Sequence, residues 1–149
     1  MRRTRFAVAL AMFGLISGFA PVATAEQQAE LTVVVEAIRE AKGTVRLAVW
    51  SDPDSFGESE GRVAGATAPV QGKTETLTIK GLAPGKYAIA VYHDENDNGD
   101  FDRTFVGLPA EGLGFSNGAW ITILGAPSFE SAAIELKGPG TETVIPLKY

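Results

Sequence analysis

After residue 25 the apolar positions recur with a period of two, in short stretches separated by Gly, Pro and Asx residues. This is the pattern of half-buried strands. Residues 31–38 (LTVVVEAI) and 44–50 (TVRLAVW) are rich in β-branched side chains, which suit a pleated surface. The polar connection 39–43 ends in Gly43 and predicts a hairpin between them. In the second strand Val45, Leu47 and Val49 share one face, with Thr44 and Arg46 on the other. Residues 51–55 (SDPDS) form a turn cluster, and the Gly/Ala-rich stretch 56–72 reads as a long loop with one short strand around 62–70.

Residues 76–80 (TLTIK) alternate cleanly, 81–85 (GLAPG) turn, and 86–93 (KYAIAVYH) make the best central strand, with Tyr87, Ile89 and Val91 on one face. The Gly/Pro-rich segment 106–127 has little periodicity beyond a short strand expected at 119–124. Two last strands, 132–137 and 143–149, flank Gly138-Pro139-Gly140, a second hairpin signal. Pro146 inside the final one places it at a sheet edge. No 3.6-residue apolar period persists for three turns. The expected fold is all-β, an antiparallel, Ig-like β-sandwich of about seven strands.

The N-terminus has a different character. Arg2, Arg3 and Arg5 precede an apolar run over 6–20, then Pro21, then Ala23-Thr24-Ala25. Positive end, apolar core and small-residue site predict a signal peptide over 1–25. The run is shorter than the roughly 20 residues of a stable span, and no cysteine follows it to carry a lipid. A single domain over 26–149, periplasmic or secreted and without a membrane anchor after cleavage, is the expectation. Loss of three arginines from 13 basic and 18 acidic side chains leaves 10 against 18, a net charge of −8. Such a domain repels nucleic acid and anionic lipid and attracts cations. Without cysteines, disulfides and zinc–thiolate sites are excluded.

That charge concentrates in one loop, His93-Asp94-Glu95-Asn96-Asp97-Asn98-Gly99-Asp100-Phe101-Asp102. Counted from Asp94, the oxygen-bearing residues Asp94, Asn96, Asn98, Asp100 and Asp102 fall at alternate positions, with Gly99 at position six. Alternate residues around a tight turn can converge on one hard cation, and glycine there closes the loop. Asp100 would contribute its backbone carbonyl, and Asp102 could act directly or through water. Position twelve is Phe105 rather than a bidentate Glu, so Glu111 or a carbonyl would have to complete the shell. Ca²⁺ is expected ahead of Mg²⁺, with an affinity of roughly 0.1–1 mM. The competing interpretation is a solvated hairpin tip turning at Asn98-Gly99.

Two other features carry less chemistry. His93 is the only histidine, and one histidine without cysteines makes a poor transition-metal site. It reads as a strand-end side chain that faces solvent or caps the loop. Residues 114–118 (GFSNG) match the G-x-S-x-G nucleophile elbow. That motif needs a following helix and a histidine after the serine, and the only histidine here precedes it.

Three stretches together resemble the bacterial DUF2141 family of exported proteins: residues 87–96 (YAIAVYHDEN) with 98–102 (NGDFD), 107–117 (GLPAEGLGFSN), and 127–133 (PSFESAA). The resemblance spans the mature chain and implies a prealbumin- or transthyretin-like sandwich. It brings no catalytic residues, and Ser131 stands where that family more usually has an acid.

The leading expectation is a non-enzymatic module whose acidic loop binds Ca²⁺ and orders the adjacent Gly-rich segment for a protein or glycan partner. His93, Glu111, Phe105, Phe115 and Asn117 are the expected contacts. The alternative is a glycan- or peptide-binding module that stacks its ligand on Trp50, Trp120, Phe105 and Phe115, with a plain acidic turn.

Overall fold

The computed structural model describes residues 28–149, so the expected signal peptide lies outside the described residues. Eight strands follow in chain order: β1 Ala29–Glu36, β2 Thr44–Trp50, β3 Ala64–Pro69, β4 Glu75–Leu82, β5 Gly85–Asp94, β6 Gly112–Phe115, β7 Ile134–Leu136 and β8 Gly140–Pro146. One short helix, α1 Phe129–Ala132, is capped by the Ser128 side chain. The strands make two sheets, β4-β1-β8 and β3-β2-β5-β6, with β7 pairing the start of β5. The fold is an all-β sandwich in which every named strand pair is antiparallel except β1 with β8, which is parallel.

The period-two pattern decides which faces meet. Leu31, Val33 and Val35 of β1 and Val45, Leu47 and Val49 of β2 are all at most 4% exposed, and they pack with Ile89, Val91 and Ile145 in one core. Burying each such side chain stabilises the fold by about 2 kcal/mol.

Both expected hairpins are corrected. β1 and β2 lie in opposite sheets, facing each other across the core. Each strand carries a single apolar face, and the two faces bury each other when the strands stack. Between them Ala37 and Gly43 adopt positive φ, and a Cβ on Gly43 would lie 2.2 Å from the Asp94 carbonyl oxygen. The connection is therefore pressed against the end of β5. Likewise β7 joins β5 while β8 joins β1, so Gly138-Pro139-Gly140 crosses between sheets.

The strand expected at 119–124 is absent. Ala119 closes a 3-10 turn on Ser116, and Thr122 and Gly125 exchange backbone hydrogen bonds around exposed Ile123 and Leu124, with the Thr122 hydroxyl accepting from Leu124 N–H. The edge position of Pro146 holds, since β8 flanks its sheet. Beyond Pro146 the chain changes sheets: Leu147 N–H donates to Glu36, and Lys148 exchanges two 2.9 Å bonds with Leu113 of β6. Gly114 makes room, because a Cβ there would stand 2.7 Å from Ile145 Cγ2. This C-terminal stitch joins the two sheets.

Strand β5 is buried on both faces over much of its length. Its outer face is partly covered by a second cluster of Trp50, Ala88, Phe129 and Ala132, with Phe56 and Phe115 against it. Among the described residues no helix is long and apolar enough to cross a membrane.

Candidate functional site

The acidic loop leaves β5 at Asp94 and returns at β6, and most of its polar atoms are satisfied internally. Asp94 is fully buried. Its Oδ2 accepts from Arg46 Nε at 2.7 Å and Gly99 N–H at 2.9 Å, and Oδ1 accepts from Asn98 N–H at 3.1 Å. Arg46 reaches it because the β2–β5 register sets Arg46 opposite Tyr92, two residues earlier and so on the neighbouring position of the same face. Burial opposes ionisation of Asp94. The Arg46 hydrogen bond and charge, with the Gly99 and Asn98 N–H groups, outweigh it and hold the carboxyl below its ordinary range.

The expected cation ligands are brought together only in part. Asn96 Nδ2 donates to Asp102 Oδ2 at 2.7 Å, and Asn98 Nδ2 donates to both Asp102 oxygens at 3.1–3.2 Å. Asn96, Asn98 and Asp102 thus converge, while Asp94 is turned inward to Arg46. The side-chain oxygen of Asn98 accepts from Asp100 N–H at 2.8 Å. Asp97, at φ 56, accepts from Thr44 Oγ1 at 2.6 Å. Among the described residues no group of three or more His, Asp or Glu side chains is placed to hold a metal ion. Gly99 has the positive φ of 85° expected of it, but β5 and β6 are joined by a long loop rather than a two-residue turn at Asn98-Gly99.

Glu111 is 4% exposed and clamps the loop, its two oxygens accepting from Glu95 N–H at 3.0 Å and Asp102 N–H at 3.1 Å. Glu95 takes a bidentate contact from Arg39 at 2.6 and 2.9 Å. That contact, against a smaller opposing effect of burial, lowers its carboxyl pKa.

His93 is fully buried, not solvent-facing. Its Nε2 lies 2.6 Å from the Lys42 carbonyl and its Nδ1 2.8 Å from the Tyr149 hydroxyl. A carbonyl only accepts, so Nε2 carries the proton and Nδ1 accepts from Tyr149. The Tyr149 oxygen in turn accepts from Arg39 N–H at 3.1 Å. Every polar atom of the imidazole is thus used in holding the β1–β2 connection and the C-terminal stitch.

Ser116 is equally committed. It is fully buried, its Oγ accepts from Ile89 N–H at 2.9 Å, and it bonds the Ala132 carbonyl. It ties α1 to β5, and it opens a three-residue 3-10 turn, Ser116–Gly118, where a nucleophile elbow requires an α-helix. Asn117, in a left-handed conformation, donates to the Ser131 carbonyl. Phe115 is half-buried between Phe56 and Trp120, whereas Phe105 is fully exposed. Trp50 is 5% exposed, packs edge-on to Phe56 and donates its Nε1–H to the Glu58 carbonyl, so it is core.

A cavity of about 680 Å³ opens on the outer face of the β3-β2-β5 sheet. Gly65, Ala48 and Ala90 are direct register partners across its floor. Their small side chains leave space between Arg46 and Tyr92 on one side and Trp50 on the other. The acidic loop supplies a wall: Phe101 meets Tyr92 edge-to-face with ring centres 5.5 Å apart, and the Tyr92 hydroxyl donates to the Gly99 carbonyl. The segment before β3 supplies Arg62. Sequence reasoning missed this cleft and the roles of Arg46, Thr44, Arg39 and Tyr149. The one signal was an arginine alternating into an otherwise apolar strand, since a half-buried charge requires a partner.

Fold and site together define an all-β sandwich domain with an internally braced acidic loop beside a sheet-face cleft. The chain belongs to the family described as an uncharacterized protein conserved in bacteria (DUF2141), which matches residues 33–144 and so includes the whole loop. No curated protein and no solved structure matches it.

Proposed function

We propose that this protein is an exported, non-enzymatic binding module, and that the cleft on the β3-β2-β5 face is where it holds a glycan or peptide. The observation that carries this reading is the 680 Å³ cavity with Tyr92, Phe101 and Trp50 at its margins and polar groups above a small-residue floor. Concave surfaces of this size with a few placed polar groups are what ligand sites use. Export rests on the N-terminal sequence pattern. A non-enzymatic role is supported by the full commitment of Ser116 and His93 to structural hydrogen bonds. Glycan and peptide arrays probed with wild type, Tyr92→Ala and Phe101→Ala test it: bound spots that vanish in both variants support the cleft, and spots unchanged in both refute it.

A second reading keeps the divalent cation. The convergence of Asn96 and Asn98 on Asp102 supports it, because an ion seated against Asp102 would draw in the two amide oxygens in place of the NH2 groups, at the expense of the Asn98 and Asp100 N–H bonds that those oxygens now accept. Ca²⁺ would then sit on these three residues and Asp100, with Asp94 bracing the loop from behind. Calorimetric titration after chelation tests it: heat at millimolar Ca²⁺, abolished by Asp102→Ala, is expected, and no heat overturns it.

A further inference from the structure

Building on that cleft as the recognition surface, we infer that its ligand is a carboxylated sugar, a short uronic-acid oligosaccharide whose acid groups are held by Arg62 and Arg46. Both arginines line the cavity, and each is anchored through Nε alone. Arg46 Nε donates to Asp94 at 2.7 Å and Arg62 Nε donates to the Ser59 carbonyl at 3.0 Å. The terminal Nη nitrogens of neither hydrogen-bond to another described residue. An arginine fixed at Nε with its outer edge free is a preorganised fork for a carboxylate, which it can grip with two parallel bonds.

The two forks bracket the cleft. Arg62 stands at the Trp50 end, since the next residue, Val63, donates its N–H to Val49. Arg46 is four residues back along β2, roughly 13 Å at strand rise. Their charges differ in kind: Arg46 is balanced by Asp94 and keeps only its donors, whereas Arg62 has no acidic partner within 4 Å among the described residues. Arg62 therefore supplies the attraction and Arg46 the second grip. Tyr92 and Phe101 line the cleft at the Arg46 end, beside the space that a pyranose would occupy.

A sugar fits better than a peptide because the cleft lies on the sheet face. The backbone groups of β2 and β5 beneath it are spent on the ladders to β3, β6 and each other, so a peptide adding a strand would have to join the outer edge of β3, in the plane of the sheet and not in the cleft. Asp100 also lines the cleft, beside Phe101 at the Arg46 end, so the net attraction for an acid group comes from Arg62, and charges beyond about 8 Å are screened at physiological salt.

Calorimetry of the protein with trimers of galacturonate, glucuronate and mannuronate, each beside its neutral sugar trimer, tests the inference. At least one acidic trimer is expected to bind about tenfold or more tightly than its neutral partner. Arg62→Ala should erase that preference, and Arg62→Lys should restore part of it. Equal binding of acidic and neutral trimers overturns the inference and leaves the cleft reading standing. No binding of any acidic trimer also overturns it. A peptide bound in its place, and lost in Tyr92→Ala, keeps the cleft but changes the ligand class.

Discussion

Arg46 and Asp94 meet at 2.7 Å across neighbouring strands, the carboxylate fully buried and the guanidinium side chain 30% exposed. The pair fixes the acidic loop from behind, because the same carboxylate also takes the Asn98 and Gly99 N–H groups. Removing the arginine strands a buried charge, whereas removing the acid lets the arginine turn to water. Arg46→Ala should therefore cost more than Asp94→Ala, about 3–5 against about 2–3 kcal/mol. Chemical denaturation of both variants measures the order, and a reversed order contradicts the bracing role.

Asp94, with Arg46, and Glu95, with Arg39, set a pH dependence. The folded-state carboxyls of Asp94 and Glu95 lie below their ordinary values of 3.8 and 4.5. A depressed carboxyl contributes stability that is fully present above its unfolded value and is lost as pH falls through its folded one. Stability should thus be level on this account from neutrality to about pH 5, then fall as pH drops below 4. Asp94→Asn and Glu95→Gln should flatten that fall, as thermal melts across pH 2.5–7 would show.

Tyr149 and His93 fasten the C-terminal stitch. Tyr149→Phe deletes the hydroxyl between His93 Nδ1 and Arg39 N–H, leaving the buried imidazole nitrogen without its donor. A loss of about 1–2 kcal/mol is expected, with faster amide exchange at Leu113 and Lys148, whose mutual bonds it protects. Unchanged exchange there would show that the stitch holds without Tyr149.

Ser116→Ala discriminates a structural serine from a nucleophile. The substitution leaves the Ile89 N–H and the Ala132 carbonyl unpaired in the interior, at about 1–3 kcal/mol. Thermal unfolding should register that loss while binding in the cleft stays as in wild type.

The existence of strands such as β1, β2 and β4 was legible in the sequence because each buries one face more than the other, and period-two alternation records this. Strand pairing was not. Nothing in residues 39–43 distinguishes a hairpin from a crossing between sheets, since the choice depends on how the connection meets the end of β5 at Gly43. Strand β6 was missed because Gly112 and Gly114, two of its four residues, carry no side chain to show an alternation. Helix α1 is too short for a period, although Ser128 as its cap was a usable signal. The acidic loop was visible as a motif, but its spacing implied convergence of all five ligands. The partner of Asp94 lies 48 residues away, so only the β2–β5 register could reveal that it faces Arg46. The cleft was hidden for the same reason: its floor joins Gly65, Ala48 and Ala90 from three strands.

The most direct test of the cleft as the recognition surface is a backbone-amide NMR titration with whichever oligosaccharide or peptide the arrays return. Shifts are expected to cluster at Ala48, Gly65, Ala90, Tyr92 and Phe101, with the exposed tips at Phe105 and Leu124 unmoved. Shifts confined to those tips, with the sheet face silent, would contradict it.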